Sequence, residues 1–174
     1  MRDIAMIGLF AAAAVAALRN PYWGALLWVW IGLMNPHRLA YGFAHTLPFA
    51  MAAAALLMLA MAMRSSEVQR PRGGVYGVLL LFIVWMGLTS ATAILRDASL
   101  EKYVEVLKVL GMAVAVACVV HTRAHIVGLA WVVTGSIAFY GVKGGIFTIA
   151  TGGGHRVWGP TSSAVEENNS LAVA

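Results

Sequence analysis

Charge is what this chain has least of. Of its 174 residues only 11% are Asp, Glu, Lys or Arg, against 61% that are hydrophobic. Soluble domains carry roughly 25% charged residues. A mean hydropathy of +0.81 points the same way. The scarcity excludes an ordinary soluble domain and predicts an all-α integral membrane protein.

Cysteine is nearly absent too. The one thiol, Cys118, lies in an apolar run and can form no intrachain disulfide, so it reads as a small core residue. No third ligand accompanies His121 and His125, which stand four apart, and a zinc site needs at least three protein ligands. No metal and no cofactor is expected. Internal repeats and low-complexity segments are missing. The net charge is +5, but the cations sit singly or in small groups between apolar runs, with no basic stripe carrying interleaved aromatics. Nucleic acid is therefore not expected as a partner. Positive charge at membrane boundaries follows from topology and from anionic headgroups, and the lipid bilayer is the first expected partner.

What the chain does have is apolar runs. Residues 4–18 and 22–34 form two short ones around Arg19-Asn20-Pro21, where proline breaks one helix and suits the start of the next. Both fall short of the roughly 20 residues that cross a bilayer, so the hairpin either spans with help from its flanks or is re-entrant. A third run covers about 47–63, a fourth 75–95 and a sixth 126–140, continuing towards Ala150. The fifth helix is expected to begin outside the membrane, with Ser99 or Asp97 as its cap. Glu101, Glu105 and Lys108 fall on one of its faces, and Glu105 can pair with Lys108. That stripe either lies in the interface or, if deeper, faces protein or a water-filled cavity. Gly141 and Gly145 have the G-x-x-x-G spacing of close helix contacts. Residues 168–174 read as the start of a seventh helix. The expectation is a polytopic transmembrane helix bundle of about six spans plus that start, truncated at its C-terminus.

Suspicious chemistry concentrates in residues 141–160, where Lys143, His155, Arg156, Trp158 and seven glycines crowd together. Glycine lets backbone approach a ligand, and arginine grips phosphate bidentately. The loop at residues 35–45 adds His37, Arg38, Tyr41 and His45. Counting spans puts both loops on one membrane face, where they form a plausible anion site. For Trp158 alone an interfacial anchor is the competing role. The densest basic segment, residues 64–72, argues for the opposite face being cytoplasmic.

Four stretches carry a resemblance. They are Leu-Met-Asn-Pro-His-Arg-Leu-Ala-Tyr-Gly-Phe-Ala (33–44), Glu-Lys-Tyr-Val-Glu-Val-Leu-Lys (101–108), Phe-Tyr-Gly-Val-Lys-Gly-Gly-Ile-Phe-Thr (139–148) and Thr-Gly-Gly-Gly-His-Arg-Val-Trp-Gly-Pro (151–160). With the initial Met-Arg-Asp, they resemble the O-glycosylation ligases associated with the exosortase A system. That family is a branch of the O-antigen ligase and polymerase superfamily. The resemblance covers essentially the whole chain and corresponds to the N-terminal membrane region of a larger protein.

It implies a multi-pass protein of the bacterial inner membrane. Such a protein transfers a glycan from an undecaprenyl-diphosphate carrier to an acceptor protein or polysaccharide, without metal or nucleotide sugar. Arg156, with Gly159 and Asn169, resembles the superfamily's arginine-to-asparagine signature, and that arginine would face the carrier diphosphate. Glu167-Asn168-Asn169 fits the acidic-Asn-Asn pattern of relatives loosely. The catalytic histidine of the family is expected downstream of Ala174, so the chain alone is expected to be inactive. A glycan polymerase, a transporter or flippase for lipid-linked glycans, and an inert membrane scaffold are the alternatives.

Overall fold

A computed structural model describes residues 2–36, 47–69 and 73–154, and they form six α-helices. These are α1 (Arg2–Arg19), α2 (Pro21–Met34), α3 (Phe49–Met63), α4 (Gly74–Ala91), α5 (Arg96–Val119) and α6 (Arg123–Ala150). A 3-10 turn, Ser65–Glu67, follows α3. No strand occurs among the described residues. The all-α expectation holds, and the six helices fall on the six expected runs.

The six-span count holds only in part. Two helices, α4 and α6, are long and apolar enough to cross a membrane. At 14 and 15 residues, α2 and α3 are about 21 and 22 Å long at 1.5 Å per residue, short of a hydrocarbon core of about 30 Å. Charged residues fill the first half of α5. The expected seventh helix, residues 168–174, lies outside the described residues.

The α1–α2 break forms where the sequence puts it. Asn20 caps α2 by accepting the Tyr22 N–H at 2.8 Å through its side chain, and Pro21 takes the first helical position. Its N–H would have had no partner there, and its fixed φ suits a helix start. At the other end Asn35 adopts φ 45°, and its N–H closes on the Ile31 carbonyl.

Helix α2 is the hub of the bundle. It packs against α1, α3, α5 and α6, whereas α4 packs only on α5 among these helix pairs. One cluster gathers Met6, Leu27, Ile31, Phe49 and Ala53 from α1, α2 and α3. A second joins Tyr22, Ala25, Leu26 and Leu57 to Ala115, Cys118 and Val119 of α5. Cys118 is buried there, as a core thiol should be. Small residues allow close approach, as they do between membrane helices. A Cβ on Gly24 would stand 3.4 Å from the Leu57 Cα.

Two tyrosines fix the direction of α6 along α2. Near the start of both helices, the Tyr22 ring stacks on His125 at 4.0 Å, and its hydroxyl reaches the His125 carbonyl at 3.4 Å. That hydroxyl lies where a Cβ on Gly128 would be, so any larger residue there must push the Tyr22 side chain aside. Near the end of α2, the Tyr140 hydroxyl donates to the Met34 carbonyl. The two helices therefore run parallel. Helix α5 runs antiparallel to α2, with Val119 beside Tyr22 and Met112 over Gly32.

Several local expectations are corrected. Helix α5 starts earlier than expected, at Arg96, with Leu95 at its cap position and no side-chain cap bond from Ser99 or Asp97. Glu105 pairs with Lys102 at 2.7 Å rather than with Lys108, although both exposed lysines stand three positions away. A Cβ on Gly141 or Gly145 would meet nothing within 4 Å, so the G-x-x-x-G spacing holds no close helix contact among the described residues. The buried line of α6 is Ser136, Tyr140 and Gly144, also at intervals of four.

Candidate functional site

The parallel course of α2 and α6 has a direct consequence for the loops. Both helices release their chain at the same end of the bundle. Residues 35–48 leave α2 there and return to α3, and the glycine-rich stretch leaves α6 there. The turns between α4 and α5 lie at that end too, since the Tyr103 hydroxyl meets the Ile83 carbonyl and packs on Gly87 in an antiparallel hairpin. The 3-10 turn and the Val120–Thr122 connection lie at the opposite end, where the Gln69 N–H binds the Cys118 carbonyl at 2.8 Å.

Lys143 is the one candidate site residue within the described part. It stands three positions past Tyr140, about 4.5 Å further along the helix, just beyond the level at which α2 ends. It is exposed. The sequence put this cation inside a span. The structure keeps it inside the C-terminal part of α6, which overshoots α2 by the ten residues from 141 to 150, about 15 Å. His37, Arg38, His155, Arg156, Trp158 and Asn169, together with Tyr41 and His45, lie outside the described residues.

The glycine run begins as a helix stop. Gly152 and Gly153 have φ of 63° and 79°. The Gly153 N–H binds the Thr148 carbonyl at 3.0 Å, and the Gly152 N–H binds that of Ile149 at 3.4 Å. This is a Schellman closure, and left-handed residues there carry little penalty only as glycine. The first two glycines are accounted for by helix termination, without a ligand.

Among the described residues no group of three potential ligands could hold a metal. His121 and His125 stack edge-on at 5.4 Å, and α6 uses His125 in its capped first turn, where its N–H donates to the Thr122 hydroxyl. Sequence reasoning missed Tyr22, Tyr140 and Gly128. The signal was available in part, since a glycine and a tyrosine hydroxyl in apolar helices each need a packing reason.

The described chain is thus a helical bundle with two helices able to cross a membrane. Residues 1–173 match a family of unknown function, DUF5935, and the chain belongs to that family. No curated protein and no solved structure matches it.

Proposed function

We propose that this chain is the N-terminal membrane region of an inner-membrane, multi-pass ligase. The ligase would transfer a glycan from an undecaprenyl-diphosphate carrier to an acceptor protein or polysaccharide. The observation that supports the reading best is that α2 and α6 end at the same end of the bundle, with Lys143 in the turns of α6 that run past Met34. The loop motifs that resemble the O-glycosylation ligases lie in the segments that follow those two helices. All six helices would be embedded, with the short α1, α2 and α3 completed by flanking residues or by local thinning of the bilayer.

In this reading Arg156 and Lys143 hold the diphosphate, with Arg38 and His37 from the first loop and His155 beside the arginine. Fixed cations would offset charge developing on the leaving diphosphate. Trp158 stacks on the sugar or anchors the loop, and Asn169 orients the arginine. A general base supplied by the rest of the protein would take the proton from the acceptor hydroxyl. A glycan polymerase would use the same donor site with a second lipid-linked glycan as acceptor.

The experiment is Arg156→Ala in the full-length protein, with membrane levels checked by immunoblot and glycan transfer followed on the acceptor. The ligase reading predicts loss of transfer at normal protein level. Undiminished transfer would support an inert scaffold role instead. A flippase would instead show lipid-linked donor accumulating on the cytoplasmic leaflet when Arg156 is replaced.

A further inference from the structure

Glu101, Glu105 and Lys108 share one face of α5, and Met112, Ala115 and Val119 continue it at the same helical spacing. The lower half of that face is the one that packs on α2. Ala115 and Val119 are buried against Tyr22, Ala25 and Leu26, and the Met112 sulfur lies over Gly32. Above Met112 there is no α2 left to pack on, because α2 stops at Met34. The same face of α5 runs on past the end of α2 for about four more turns. It turns from apolar to charged where its packing partner ends.

The depth of these charges follows from α4. Tyr103 of α5 meets Ile83 and Gly87 of α4, so Glu101 and Glu105 lie level with the second half of that apolar helix and Lys108 lies near its middle. At that level α4 shows Val84, Trp85 and Leu88 on its outside. Helix α6 rises past the end of α2 as well, carrying Lys143. All four charged residues are exposed. Ionisable groups at membrane depth face protein or water, and not lipid.

We propose that the space above the C-terminal end of α2 is a water-filled vestibule. It is walled by the charged face of α5 and the overshooting turns of α6, and it opens to the aqueous phase at the end where α2 stops and α6 runs on. The occupants are water and small hydrophilic solutes, held by the carboxylates of Glu101 and Glu105 and the ammonium groups of Lys102, Lys108 and Lys143. The inference rests on the chain being embedded in a membrane, and it is independent of the ligase chemistry.

Single cysteines test it, placed in the full-length protein carrying Cys118→Ala. Glu105→Cys and Lys108→Cys probe the vestibule. Val104→Cys probes its edge without removing a charge, should the charge variants not fold. Val84→Cys marks the outside of α4, and Gly154→Cys marks the face of the glycine run. A membrane-impermeant sulfonated methanethiosulfonate is added to one side of sealed vesicles at a time.

The reagent needs a thiolate, which forms in contact with water, so vestibule positions should react at least about tenfold faster than position 84. They should do so from the side that labels position 154. Reaction at 104, 105 and 108 no faster than at 84, or only from the other side, overturns the vestibule. Rapid reaction at 84 together with the rest overturns the membrane embedding itself.

Discussion

Helices α2 and α4 are close relatives in composition and opposites in surroundings. Both are apolar on all sides and carry no charged residue. Yet α2 buries eight of its 14 residues, and α4 buries none. Ile31 is 0% exposed, while Val84 is 69% and Trp85 61% exposed. Hydrophobicity therefore says that a helix avoids water, and no more. What separates the two is the number of helices that meet them: α2 packs on four, and α4 on α5. Gly24 admits the Leu57 backbone, and α2 exchanges hydrogen bonds with α6 at both ends through Tyr22 and Tyr140. Without a water-driven force between helices in lipid, such packing and polar contacts decide which apolar helices associate.

The comparison breaks most readily at its extremes. Ile31→Ala should cost about 2–5 kcal/mol, as core truncations do. Val84→Ala should stay within about 0.5 kcal/mol, as at exposed positions. Reversible unfolding in mixed detergent and SDS micelles measures both. An equal loss at Val84 would mean that α4 is covered by a partner.

A smaller effect tests the parallel contact of α2 and α6. Gly128→Ala puts a methyl group onto the Tyr22 hydroxyl and should cost about 1–3 kcal/mol. Tyr22→Phe in the same chain removes the obstruction and should restore most of that loss. A double variant no more stable than Gly128→Ala would place the conflict elsewhere.

The smallest effects separate the two tyrosine hydroxyls outside that contact. Tyr140→Phe removes the bond to the Met34 carbonyl at the hub and should cost about 1–2 kcal/mol. Tyr103→Phe removes the bond to Ile83 on the peripheral hairpin and should cost less than about 1 kcal/mol. The same unfolding assay orders them, and a reversed order would mean that the α4–α5 pair is the better packed.

Much of the fold was legible because its signals are local. Asn20-Pro21 is a cap followed by a residue fit only for a helix start, and the break falls there. The apolar runs mark the six helices. The start of α5 was less legible, since capping by Ser99 or Asp97 was available and the helix simply began a turn earlier at Arg96. The partner of Glu105 depended on a choice between two lysines at equal spacing. Helix contacts were the least legible: Gly141 and Gly145 had the right spacing on the wrong face, because which face of α6 meets α2 is settled by Tyr22 and Tyr140.

Of the candidate site, Lys143 is the residue whose position can be compared with expectation. It lies within the C-terminal part of α6, as expected, and past the level at which α2 ends. The glycine run, read as a ligand-facing backbone, starts with a helix stop. That α2 and α6 end at the same end of the bundle was legible from the number of helices between the two loops, since four intervening helices return the chain to the same end.

The central claim is that α2 and α6 run parallel and end at the same end of the bundle. Sided thiol labelling of Asn35→Cys, Gly154→Cys and Gln69→Cys, each in the Cys118→Ala chain in sealed vesicles, tests it most directly. Positions 35 and 154 should react with an impermeant reagent from the same side, and position 69 from the other. Labelling of 35 and 154 from opposite sides would contradict the fold at its hub and dissolve the shared site.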